Sequence, residues 1–305
     1  MAYTTINKPA DYFNGLAYTG TNTSTSYNNG LDMSTNGGLV WLKSRNAAGD
    51  HGLFDSVRGT TKRIRSNTTN AEDTLSGVTS FDSTGFTLGT AYNDTPYTFM
   101  SWSWLAGGTA SSNTDGSITS SVSANTTSGF SIVSYTGTGA NATVGHGLSS
   151  APKMVIFKNR DNGSQEWDTY HAGLTDATYF IQLNSTNAQN NTNGALRFNS
   201  TAPTSSVFSV GTATTTNESS SAMIAYCFSE VKGFSKFGSY TGNGSTDGTF
   251  IYTGFKPAWV LWKRTDSAIN APWVLMDNKR SVDNPVDKYS FPSQSDSEGT
   301  ANVKD

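Results

Sequence analysis

The chain has 305 residues, a formal net charge of −3 and only 14% charged side chains, against about 25% in ordinary globular proteins, so it has no basic field for gathering nucleic acid or an anionic membrane. Its 35% hydrophobic and 12% aromatic content is enough for buried cores and excludes the high-charge kind of disorder. No apolar run approaches the ~20 residues of a membrane helix, the opening "MAYTTINKPADYFNG" lacks the regions of a signal peptide, and a single cysteine, Cys227, excludes an intrachain disulfide and a cysteine-held metal.

In chain order, the first informative phrase is "AYTGTN" at 17–22, because Tyr-Thr-Gly returns in "SYTGTG" at 134–139 and "SYTGNG" at 239–244. Each leads to a short apolar run ending in lysine: "GLVWLK" at 38–43, "KMVIFK" at 153–158 and "AWVLWK" at 258–263. After a polar loop come His51, Trp167 and Trp273, and four residues later Asp55, His171 and Asp277. "NTTNA" at 67–71 and "NSTNA" at 184–188 follow, then "FDSTGFTLG" at 81–89 and "FNSTAPTSSVFSVG" at 198–211. Apolar closing runs end both copies, "YTFMSWSWL" from Tyr97 and "SAMIAYCFSE" from Ser221.

So many landmarks in one order define a repeat whose period exceeds the ~20–50 residues of a solenoid. The expected organisation is a first unit at 1–108, a Ser/Thr/Asn-rich linker or added strand at 109–128, a second unit at 129–232 and a third at 233–305. By composition the 109–128 segment is flexible. The third unit reads as incomplete, since the spacing of the first two puts its Phe-Gly motif at 301–303; the expectation is a polypeptide that continues, or a second chain that supplies the missing strands.

The fold class expected is all-β, as tandem antiparallel β-sandwiches of lectin-like or jelly-roll-like form. The lysine-terminated runs are short, dense in Val, Ile, Phe and Trp, and bounded by Gly, Pro, Asn or Asp. Val40, Val155 and Val260 share a face with Leu42, Phe157 and Trp262, while Trp41, Ile156 and Leu261 face the other way, so both faces are apolar as in a covered central strand. In Tyr-Thr-Gly the strand ends, Thr-Gly turns, and the tyrosine packs its ring while its hydroxyl finds a partner.

Catalytic chemistry is not evident. The glutamates Glu72, Glu166, Glu218, Glu230 and Glu298 do not recur at equivalent places, and His51, His146 and His171 have no metal-ligand spacing. No cofactor, metal or enzymatic activity is expected. Lys43, Lys158 and Lys263, followed by Arg45, Arg160 and Arg264, are the sharpest ligand candidates; structurally they would instead pair across the hairpin with Asp55 or Asp277. Loops at sandwich ends are the expected binding surface, with Asn46 and Asp50 in the first, Asp161, Asn162 and Glu166 in the second, and Asp266 and Asn270 in the third.

The phrases "FDSVRG", "GVTSFDSTGFTLG", "SANTTSGFSIVSYTGTGANATVGHGL", "APKMVIFKNR" and "GSYTGNGSTDGTFIYTGFKPAWVLWKR" resemble uncharacterised tandem-repeat virion proteins of marine tailed bacteriophages, over nearly the whole chain. The resemblance implies a non-enzymatic tail, tail-fibre or surface component located in the virion. Its implied partners are other virion proteins, further copies of itself as a homo-oligomer, by analogy a trimer, and a host-surface glycan. Capsid decoration without a ligand is the alternative. The resemblance brings no catalytic residues with it.

Overall fold

The computed structural model describes residues 4–267, 269, 271–281 and 285–301. It is all-β, with antiparallel sheets and only single-turn α-helices such as Met33–Asn36. In the first unit an opening strand (Phe13–Thr19), a closing strand (Thr98–Leu105), a lysine strand (Gly38–Ser44) and a hairpin strand (Gly52–Asp55) lie side by side in that order. The second unit repeats the order with Phe130–Thr136, Ala222–Phe228, Met154–Asn159 and Asp168–His171. In both, the strand latest in sequence takes a central place.

Register repeats as well as order. Leu39 faces Asp55, Met154 faces His171 and Trp259 faces Asp277 across the three hairpins, and Trp102 faces Trp41 as Tyr226 faces Ile156. β-Branched and aromatic side chains suit such pleated, doubly covered strands, and the lysine strands of the first two units are buried on both faces.

Alternate residues of these strands serve different cores. One face of the first sheet packs under an outer layer of Thr25–Asn28, Gly85–Leu88 and Val78–Asp82, enclosing Val40, Leu42, Phe54 and Phe86. In the second unit Ala142–Gly145 and Val207–Val210 form that layer over Val155, Phe157, Phe208 and Cys227. The opposite faces meet in one central core that draws Trp41, Trp102 and Trp104 from the first unit, Ile156, Trp167 and Tyr226 from the second, and Trp273 and Leu275 from the third. The units therefore share a core instead of following one another as separate bodies.

Segment 109–128 belongs to the second unit's sheet. Ser120–Asn125 pairs with the opening strand and Ser111–Asn113 with Ser120–Asn125. Buried hydroxyls of this stretch are bonded: Ser123 donates to the Gly108 carbonyl at 2.6 Å and Ser120 to that of Gly145 at 2.9 Å.

Tyr-Thr-Gly has the structural role its sequence suggests in the first two units. Tyr18 donates its hydroxyl to the Tyr92 carbonyl at 2.9 Å, and Tyr135 donates to the carbonyl of Thr216, in each case the lead-in to the closing strand. Beside them Asn93 and Asn217 are fully buried and accept the amides of Thr21 and Thr138. The glycine is required by close approach: a Cβ on Gly20 would stand 2.3 Å from the Asp94 carbonyl oxygen, and one on Gly137 would stand 2.1 Å from that of Glu218.

The third unit has a lysine strand (Trp259–Trp262), a hairpin strand (Val274–Asp277), then Lys288–Ser290 and Gly299–Thr300. Between Phe228 and Trp259 no strand is formed, so the stretch around Tyr240 stays outside any sheet.

Candidate functional site

The repeated polar residues are concentrated at the seams between units, and each seam is built alike. Trp167 of the second unit donates its indole N–H to the carbonyls of Arg65 and Thr68 in the first, at 2.8 and 3.1 Å. Trp273 of the third donates to Gln182 of the second at 2.8 Å. His51 of the first closes the circle, with Nε2 3.1 Å from the Phe291 carbonyl of the third. Its Nδ1 accepts the Trp41 indole N–H at 2.9 Å, which fixes the neutral tautomer with the proton on Nε2.

A second ring of bonds follows the same order. Backbone amides of Glu72, Gln189 and Glu298 donate to the carbonyls of Arg160, Thr265 and Arg45, at 2.7, 2.9 and 2.7 Å. Two of these seams carry a bidentate ion pair, Arg160 with Glu72 at 2.9 Å for both contacts and Arg45 with Glu298 at 2.9 and 3.0 Å. Such head-to-tail contacts close when the rotation between units completes a circle; here one chain makes three seams among three units.

The lysines belong to these seams. Lys158 donates to the Thr69 carbonyl of the first unit at 2.6 Å and to Gln165 at 2.7 Å. Lys263 reaches the Thr186 carbonyl of the second unit at 3.1 Å, while Lys43 stays within its own loop on Ser44 at 2.9 Å. Burial pushes all three ammonium groups down to about 8. The pairing expected with Asp55 and Asp277 does not occur, because an arginine three residues on takes each carboxylate. Arg58 binds Asp55, and Arg280 binds Asp277 at 2.6 Å, all four side chains being nearly or fully buried. Each carboxylate also accepts from a neighbouring unit's closing strand: Tyr226 donates to Asp55 at 2.7 Å, and Trp102 donates to Asp277 at 3.1 Å. The second unit has His171 and Leu174 at these positions and no such pair.

Most of the loop candidates bond within their own units, Asn46 and Asp161 from exposed positions. Asn46 accepts the Thr98 amide, Asp50 accepts from Asn67, Asp161 accepts the Ala222 amide, Asn162 donates to Glu218, and Glu166 accepts from Asn184. These bonds hold the hairpins, while Asn46 and Asp161 stay open to solvent. Asn67 and Asn184 complete the brace by accepting the amides of His51 and Trp167, which accounts for the repeated "NTTNA" and "NSTNA". Asp266 pairs with Arg264 on an exposed surface, and Asn270 lies outside the described residues. Cys227 is fully buried in its strand, its thiol pushed up to about 12 by burial, as expected of a small hydrophobe.

Sequence reasoning missed Asp168, a fully buried carboxylate held by Arg197 at 2.7 Å and by Thr215; burial raises its pKa. It also missed a cleft of about 690 Å³ on the third unit, lined by Thr186, Trp262, Arg264, Pro272, Val274 and Phe291 among others. Leu42 and Phe157, the equivalents of Trp262, are covered by the outer layers of their own units. Trp262, Arg264 and Gln294 are among its lining residues, a mixture suited to a polar ligand with a flat face. Among the described residues, no group of three or more His, Cys, Asp or Glu is placed to hold a metal ion, and no helix is long and apolar enough to cross a membrane.

The seams impose a pH dependence. Burial holds His51 well below the usual imidazole range, and His146 and His171 shift the same way. Below pH ~6.5 the unfolded chain takes up protons that the folded chain refuses, so stability falls as pH falls, by up to roughly 1.4 kcal/mol per pH unit for each such group. Urea midpoints measured between pH 7.5 and 5.5 are expected to decline steadily; a flat profile contradicts the neutral seam histidine.

Fold and seams together define an all-β protein in which sequence-related units close head to tail around one core. Over residues 8–305 the chain matches the family described as Domain of unknown function (DUF7483), and it belongs to that family. No curated protein and no solved structure matches it.

Proposed function

We propose that the chain is a non-enzymatic structural module of a virion surface appendage, and that the cleft of the third unit is where it holds an external ligand such as a host-surface glycan. The observation that carries this reading is the placement of the repeated lysines, arginines and carboxylates. They brace hairpins and join units, the arrangement of a body whose task is mechanical. The sparsely charged, Ser/Thr/Asn-rich composition suits a particle exterior, and the sequence resemblance to phage virion repeat proteins supports the location.

The cleft supports adhesion better than the loop tips, since Trp262 and Arg264 border open space there while the tip residues are internally bonded. The test pairs a glycan array with the Trp262→Ala variant. Specific signal on the wild-type chain that falls at least tenfold in the variant supports adhesion. Silence on the array, with antibody labelling of capsids in negative stain, replaces it by decoration, and release of reducing ends from envelope sugars overturns the non-enzymatic reading.

A further inference from the structure

The third unit presents an empty place for a strand that the other two units fill. In the first and second units the lysine strand is paired on both edges, by the hairpin strand and the closing strand. Trp259–Trp262 pairs with its hairpin strand alone among the described residues. Val260, the equivalent of the fully buried Val40 and Val155, is 40% exposed. In the strand-free stretch before it, Tyr240, Phe250, Ile251 and Tyr252 are 55%, 87%, 49% and 73% exposed.

The Tyr-Thr-Gly stretch of this unit shows what is missing. In the other units the tyrosine hydroxyl, the glycine amide and the glycine's bare Cα all engage the segment that leads into the closing strand; Gly20 donates to Tyr97, and Gly137 to Ser221, both at 2.9 Å. A Cβ on Gly242 would meet nothing within 4 Å. Here the same three features face open space.

We infer that the third unit is an acceptor for one occupant, a third copy of the closing segment. Its chemistry is read from the two that exist, "YNDTPYTFMSWSWL" at 92–105 and "TNESSSAMIAYCF" at 216–228. A buried asparagine followed by an acidic residue leads, a few residues on, into an extended run apolar on both faces. The asparagine accepts the amide of the residue after the glycine, as Asn93 and Asn217 do, and the run enters antiparallel beside Trp259–Trp262, as in strand addition to an open edge. Among the described residues a second copy of this chain has no free strand of this kind, because Thr98–Leu105 and Ala222–Phe228 are each held centrally between two neighbours. The donor is therefore polypeptide other than residues 4–301. It lies in the plane of the sheet, on the edge away from the hairpin strand, and the inference rests on strand pairing alone, independently of adhesion.

The probe is a fluorescein-labelled peptide of residues 92–105 with a solubilising lysine tail, titrated with the full chain and followed by anisotropy. Saturable one-to-one binding is expected, at least tenfold weaker for the Asn93→Ala peptide and absent for a scrambled one. Gly242→Val alters a position with open surroundings and is expected to leave the far-ultraviolet circular dichroism and melting unchanged while weakening peptide binding at least tenfold. No binding, equal binding by Gly242→Val, or concentration-dependent dimerisation of the chain that the peptide does not reverse would overturn the proposal.

Discussion

Replacing Asp55 with alanine is expected to lower the unfolding free energy by about 3–5 kcal/mol, the usual cost of removing one partner from a buried ion pair. Asp55 and the side chain of Arg58 are fully buried. The carboxylate accepts from Arg58, from the Tyr226 hydroxyl and from the amides of Val57 and Arg58. Its loss leaves a guanidinium without its main counter-ion in the central core. Arg58 retains Glu72 at 3.1 Å, the Leu53 and Lys62 carbonyls at 2.9 Å and the Tyr226 hydroxyl at 3.3 Å, but the amides of Val57 and Arg58 and the Tyr226 hydroxyl lose the acceptor they share. Tyr226→Phe removes the hydroxyl's bonds across the seam, to Asp55 at 2.7 Å and from Arg58 at 3.3 Å, and leaves the ion pair in place, so about 1–2 kcal/mol is expected. Urea denaturation of the two variants checks the order; a larger loss for Tyr226→Phe, or an Asp55→Ala chain as stable as wild type, contradicts it.

Trp167→Ala is the second change with a large expected effect. The side chain is fully buried in the shared core, and deletion of a large buried aromatic side chain costs about 3–5 kcal/mol through lost burial and the cavity left behind. It also strips the carbonyls of Arg65 and Thr68 of the indole N–H. Because both carbonyls belong to the first unit, the damage crosses the seam. Hydrogen exchange in Trp167→Ala is expected to accelerate in the Gly52–Asp55 and Gly38–Ser44 strands of the first unit as well as in the second. Acceleration confined to 129–232 shows that Trp167 serves its own unit only.

Strand content and equivalence were legible in the sequence because burial on a pleat leaves a pattern. Val-x-Leu, Val-x-Phe and Val-x-Trp in the lysine strands mark the face turned to each unit's own layer, and in the first two units those residues occupy it. The fate of the second face was not legible. Trp41 and Ile156 are apolar whether they meet a neighbour's sheet or a second layer of their own, and only the closed arrangement selects between these. Seams were hidden for a related reason: His51, Trp167 and Trp273 bond to backbone carbonyls, which any residue supplies.

The seam carboxylates had a readable signal. Glu72 lies five residues after Asn67 and Gln189 five after Asn184, so extending the repeat past "NTTNA" brings them into register. Counting glutamates alone conceals this, because the middle seam uses glutamine. The lysines were placed on the right strand ends but given the wrong partners. Asp55-x-x-Arg58 and Asp277-x-x-Arg280 form local pairs on a turn, and the pattern Asp-x-x-Arg, present in the first and third units and absent from the second, is the sequence mark of that arrangement. Polar composition in the candidate loops reports turn stability as easily as a binding surface, because short Asn- and Asp-rich tips bond their own backbone readily.

The central claim is that the units are joined through one shared core, and hydrogen exchange followed by mass spectrometry across a urea series tests it most directly. The lysine strands Gly38–Ser44 and Met154–Asn159 are expected to lose protection together, in one transition with a common midpoint. If Met154–Asn159 stays protected at urea concentrations where Gly38–Ser44 is fully exchanged, the units stand independently and the closed arrangement is wrong.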